Sequence, residues 1–155
     1  MAILTVRIQR QPFDMAAETA QLKKLPGVGA VVTFSGLCRD EGGRLAALEL
    51  EHYPGMAEAE IAKIAEEAAS RWPLIGATVI HRTGLIAVGD DIVLVATASA
   101  HRDAAFAAAS FAMDYLKTRA PFWKKEHPAG AGSGDWIGAQ ESDNHSASRW
   151  PTPKA

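Results

Sequence analysis

Between Tyr115 and His127 the chain reads YLKTRAPFWKKEH, which sets Lys117, Arg119, Lys124, Lys125 and His127 among Tyr115, Leu116, Phe122 and Trp123. Cations beside bulky apolar groups are costly to desolvate, so the stretch is either a solvated helix end or a site for an anion. Phe106, Ser110, Met113 and Lys117 follow one another at intervals of four, three and four residues, which places them on one stripe of a helix. A lysine continuing that stripe would bury its stem, and burial together with the cations Arg119, Lys124 and Lys125 would favour a neutral amine able to act as base, acid or nucleophile. Taken alone, Lys117 has a plainer reading as a snorkelling residue in a last helical turn, where positive charge complements the dipole. Pro121 forces the chain out of the helix, and burial of Phe122 and Trp123 would fold Lys124 inward. Two lysines beside aromatic rings suit a flat, phosphorylated heterocycle; a surface loop with Lys124 and Lys125 in water is the alternative.

A second candidate stands at Ser99-Ala100-His101-Arg102-Asp103, where a helix is expected to begin. A helix start presents unpaired amide N–H groups that favour a phosphate or carboxylate, and Arg102 there works against the dipole, so anion binding and a merely solvated arginine are level. The five histidines, at 52, 81, 101, 127 and 145, and the single cysteine never fall at paired ligand spacings, so no metal site is assigned. Cys38 precedes Arg39, which would favour a thiolate, but a packing cysteine at a strand end is the better reading. No strand feeds a glycine-rich turn into a helix at dinucleotide or P-loop spacing, which argues against nucleotide hydrolysis.

The elements that must position these residues are legible in outline. Ile3–Gln9 alternates as a strand, and Asp14 caps a helix running to about Leu25. Val28–Leu37 reads as a buried strand, Asp40-Glu41-Gly42-Gly43 as a turn, and Leu45–Tyr53 as a strand completing a hairpin. Pro54-Gly55 opens a helix that Pro73 closes. Ala77–Ile86 and Asp91–Ala100 are strand-like runs expected to pair antiparallel, followed by a long alanine-rich helix from His101 to about Thr118. A glycine-rich flexible loop is expected near residues 127–134, a short strand at Trp136-Ile137, and a disordered tail at 151–155. The fold class is α+β, a mostly antiparallel sheet with about three helices.

At 155 residues, one domain over residues 1–150 is expected. A net charge of −2 with 22% charged residues excludes a general polyanion binder, so nucleic acid is not an expected partner. The longest apolar runs, such as Ile92–Ala98, are far short of the roughly 20 residues a membrane helix needs. The N-terminus lacks the pattern of a secretory signal, and with one cysteine this points to the cytoplasm.

The blocks VVTFSGLCRD, LELEHYPGM, VIHRTGLIAVGD, TASAHRDAAFAAASFAMDYLKTRAPFWKKE, DWIGAQESD and SRW resemble the catalytic (large) subunit family of molybdopterin synthase. The resemblance spans Ile3 to Trp150 and leaves out only the GAGSG loop and the PTPKA end. It implies the α/β-hammerhead fold of that family and a sulfurtransferase activity without a cofactor. Two sulfurs would pass from the C-terminal Gly-Gly thiocarboxylate of a ubiquitin-like small subunit to cyclic pyranopterin monophosphate, giving the dithiolene of molybdopterin. It also implies a homodimer of large subunits with a small subunit at each end. Carried over by motif, Lys117 and Lys124 are the catalytic residues. Arg39, His101 and Arg102 bind the substrate anion, with Phe34 and Met113 as apolar neighbours. One departure is Gln140, where many relatives carry an arginine; a neutral amide offers a weaker hold on a phosphate. The runner-up is a non-catalytic anion or nucleotide-binding module using the Lys117–Lys124 cluster.

Overall fold

Alternating side chains at Ile3–Gln9 make β1, and Asp14 caps α1 (Met15–Lys23) by accepting from the Ala17 amide at 3.1 Å. The computed structural model describes residues 1–130, 136–137 and 150. The remaining elements, in chain order, are β2 (Ala30–Leu37), β3 (Leu45–His52), α2 (Met56–Arg71), β4 (Leu74–Arg82), β5 (Gly84–Ala87), β6 (Asp91–Ser99), α3 (Arg102–Arg119), β7 (Phe122–Pro128) and β8 (Trp136–Ile137). At the start of α2 the Gly55 N–H donates to the Glu58 carboxylate at 3.1 Å, and α3 ends just before Pro121 as expected. Gln140, residues 131–134 of the expected 127–134 loop and the 151–155 tail lie outside the described residues, and His127 and Pro128, expected in that loop, belong to β7.

The strands form two four-stranded sheets, ordered β1-β4-β6-β2 and β5-β3-β7-β8. Among the described residues, β1–β4 is the one parallel pair. The first sheet is covered on both faces. On one, Val79 of β4 and Val93 and Val95 of β6 pack with Ile61 and Ile64 of α2 and Phe111 and Leu116 of α3. On the other, Ala96 and Ala98 meet Leu22 of α1. Burial on both faces explains why β6 reads as a nearly unbroken apolar run instead of an alternating one.

Three expectations need correction. The β2–β3 hairpin does not form, because β2 pairs with β6 in the first sheet while β3 lies between β5 and β7 in the second. The apolar AVV of β2 suits a sheet covered on both faces, whereas the LELE alternation of β3 suits one with a single buried face. The run Ala77–Ile86 is two strands: β4 pairs with β6 as expected, but Gly84, at φ +83°, turns the chain away so that β5 joins β3. The surface loop offered as the alternative around Lys124 and Lys125 does not form either, because Phe122–Pro128 is strand β7, hydrogen-bonded along β3.

Candidate active site

Met113, Leu116 and Lys117 come from the last turns of α3, and Phe34 from β2. With His81 of β4 and Val93 of β6 they line a cleft of about 90 Å³. The walls are mainly apolar; Lys117 and His81 are the titratable side chains among the lining residues. The stripe through Phe106, Met113 and Lys117 runs along the flank of α3, since the buried face is Ala105, Ala108, Phe111, Ala112 and Leu116. Lys117 is accordingly exposed, as the snorkelling reading has it, and stands at the mouth of the cleft.

Lys124 reaches the same region from the second sheet. It lies opposite Leu50, and Phe122 lies opposite His52, so these four side chains share one face of the β3–β7 pair. That face meets the cleft, because Phe122 stacks on His81 with ring centroids 3.8 Å apart and planes 14° apart. Alternation sends Trp123 to the opposite face, where it is 43% exposed. The expected burial of both aromatics therefore holds for Phe122 alone. Lys125 falls on the outer face with Trp123, opposite Glu49.

Arg39 follows β2 two residues after Leu37, itself a lining residue of the cleft. Its guanidinium is largely in water, 3.3 Å from the Glu41 carboxylate, an exposed pair worth little energetically and easily exchanged for another anion. His101 and Arg102 lie elsewhere. They sit at the start of α3 in a recess of about 450 Å³ beside Gly29 and Ala30. Gly29 has to be glycine, since a Cβ there would stand 2.3 Å from the Ala100 carbonyl oxygen. Arg102 and Lys117 are fifteen residues apart on one helix, roughly 22 Å at 1.5 Å per residue. Phe34, Met113 and Lys117 thus line one cleft at one end of α3, with the Lys124 face of β7 and Arg39 beside it, while His101 and Arg102 stand at the other end. Cys38 is buried with Leu45, Leu50 and Ile86, and burial raises its thiol above the ordinary value, which fits packing. Among the described residues no three metal-ligating side chains come together.

His81 is the site residue that spacing did not reveal. Its surroundings come from three other elements, and the one signal in the sequence was a titratable residue inside the apolar run TVIHR. Burial first, then the charges of Lys117 and His52, push its pKa from 6.5 down to about 4, against the opposing effect of its hydrogen bond to the Arg82 carbonyl. Between these values the unfolded chain binds the proton and the folded one does not. His81 therefore contributes stability that is complete above about pH 6.5 and is lost as the pH falls toward 4, on the order of 3 kcal/mol. Urea unfolding at pH 7 and pH 4.5 should show a smaller loss for His81→Asn than for the parent. Equal losses would mean the ring takes its proton as easily folded as unfolded.

Residues 8–119 match the family model described as MoaE protein. The chain is 67% identical over 147 residues to the molybdopterin synthase catalytic subunit of Mesorhizobium japonicum, a match covering 94% of this chain and 92% of that one. Among solved structures, the molybdopterin biosynthesis MoaE protein from Burkholderia ambifaria superposes with a TM-score of 0.82 at 48% identity, covering 97% of this chain and 98% of that one. A structure titled as the complex of subunits 1 and 2 of molybdopterin-converting factor from Helicobacter pylori gives a TM-score of 0.69 at 19% identity over 90% of this chain and 92% of that one, which speaks for the fold.

Proposed function

This chain belongs to the MoaE protein family, and on that footing we propose how its cleft carries out sulfur transfer. Its function is that of a molybdopterin synthase catalytic subunit, a sulfur-transferring enzyme of molybdenum cofactor biosynthesis. The donor is the C-terminal thiocarboxylate of a ubiquitin-like small subunit, and the acceptor is cyclic pyranopterin monophosphate. A Gly-Gly tail suits a narrow approach because glycine lets a backbone pass close to side chains. The observation that carries the reading is the apolar cleft with Lys117 at its mouth and the Lys124 face of β7 beside it.

In each transfer the sulfur electron pair forms a C–S bond to the substrate carbon and the C–O bond breaks. The oxygen leaves with that electron pair: a hydroxyl takes a proton from a lysine ammonium and departs as water, whereas an ester oxygen departs on the phosphate and opens its ring. Water then cleaves the acyl–sulfur link, returning the small subunit as its carboxylate. Lys117 and Lys124 hold the thiocarboxylate by charge and supply the proton, while Phe34 and Met113 pack against the flat ring system. Arg39 stands near the cleft for the phosphate.

His101 and Arg102 cannot serve the Lys117 cleft of their own chain, being farther off than one small substrate spans. A second copy of the chain brings them there, which gives the homodimer a catalytic reason. No helix among the described residues is long and apolar enough to cross a membrane; the cytoplasm is the proposed location.

Purified chain mixed with thiocarboxylated small subunit and cyclic pyranopterin monophosphate is expected to yield dithiolene product only when all three are present. Failure with a small subunit that works alongside a known synthase would overturn the reading. Phosphate binding at the cleft without product would favour a non-catalytic anion-binding module.

A further inference from the structure

The sulfur-transfer reading leaves one polar side chain of the cleft without a task. His81 lines it together with Lys117, and its ring is fixed by its neighbours. Nδ1 is 2.9 Å from the Arg82 carbonyl oxygen; a carbonyl only accepts, so Nδ1 carries the hydrogen and donates it. Phe122 lies flat against the ring at 3.8 Å and holds its plane. Nε2 is then the nitrogen with the lone pair. The charged or titratable neighbours acting on the ring are Lys117 from α3 and His52 from β3, both of which keep it neutral.

A neutral imidazole in this tautomer is only an acceptor at Nε2, and an ammonium is only a donor. A group bound between His81 and Lys117 must therefore donate to one and accept from the other, and a hydroxyl is the smallest group that does both. We propose that His81 is a further substrate-contacting residue of the sulfur-transfer reaction, its Nε2 accepting a hydrogen bond from the hydroxyl on the carbon that receives sulfur. With its hydrogen on Nε2, that hydroxyl turns a lone pair toward Lys117. The C–O electron pair stays with the oxygen as the C–S bond forms, the oxygen takes its proton from the Lys117 ammonium, and it departs as water. His81 gives up and takes up no proton; it selects the orientation in which the oxygen can leave. The inference rests on the role given to Lys117 above.

The test compares single-turnover dithiolene formation by the parent chain, His81→Asn and His81→Gln, each with thiocarboxylated small subunit and cyclic pyranopterin monophosphate. Asparagine keeps a donor near Nδ1 and lacks the acceptor, whereas the glutamine amide oxygen reaches toward the Nε2 position. His81→Asn is expected to slow the chemical step about 10²-fold with unchanged small-subunit affinity, and His81→Gln to recover most of that loss. Parent-like turnover by His81→Asn, or equal impairment of the two variants, would overturn the inference. Should the variants fail to fold, imidazole ¹⁵N shifts of the parent chain decide. A hydrogen on Nδ1 and an Nε2 signal that moves when cyclic pyranopterin binds support the role, and a hydrogen on Nε2 or an unmoved signal refutes it. A parent chain that makes no product would instead strike at the sulfur-transfer reading itself, while the ¹⁵N measurement still reports on His81.

Discussion

Lys117→Ala is expected to abolish dithiolene formation, at least about 10²–10⁴-fold in rate, while the chain folds normally and still binds the small subunit. The separation of these effects follows from position. Lys117 is exposed in the final turns of α3, outside the alanine-rich face that meets the first sheet. Truncation there opens no cavity, and alanine is at least as good a helix former, so stability should move by no more than about 0.5 kcal/mol. The cleft, however, would lose its ammonium, leaving a departing oxygen with no proton donor on that wall. Lys124 comes from another sheet and cannot occupy the same place. Turnover close to that of the parent, measured with saturating small subunit, would remove Lys117 from the chemistry. A lost melting transition would mean that α3 depends on it structurally.

Much of this arrangement was readable from residue types. Asp14, Pro54-Gly55 and Pro121 mark helix boundaries because caps and prolines act locally, and the spacing of Met113 and Lys117 places both at one wall because a helix repeats regularly. What failed depended on contacts between distant elements. The glycines after Asp40 signal a change of direction, but whether β3 returns to β2 or enters a second sheet is decided by which strand faces find cover. Phe122 and Trp123 look equally apolar, and only the register of β7 against β3 turns one inward. His81 has no ligand-like partner along the chain. Its tautomer, plane and neutrality come from Arg82, Phe122, Lys117 and His52, and of these only Arg82 is adjacent in sequence.

The same distance argument gives a second large effect. Chains carrying Lys117→Ala and chains carrying Arg102→Ala, each strongly impaired alone, should regain activity once their subunits are exchanged. A continuous helix of eighteen residues keeps Arg102 and Lys117 apart, so a substrate held by both must touch two chains. A mixed dimer then contains one site with both native residues and one with neither. Random exchange makes about half the dimers mixed, and half of their sites are intact, so recovery should reach about a quarter of the parent's activity. Arg102→Ala removes a charge-assisted contact worth about 1.5–3 kcal/mol, enough to depress its own homodimer about 10–100-fold and make the recovery visible. Co-expression with two affinity tags isolates the mixed species. If purified mixed dimers turn over no faster than either homodimer, the site is not shared between subunits. If Arg102→Ala alone turns over like the parent, the recess at the start of α3 is not part of the site.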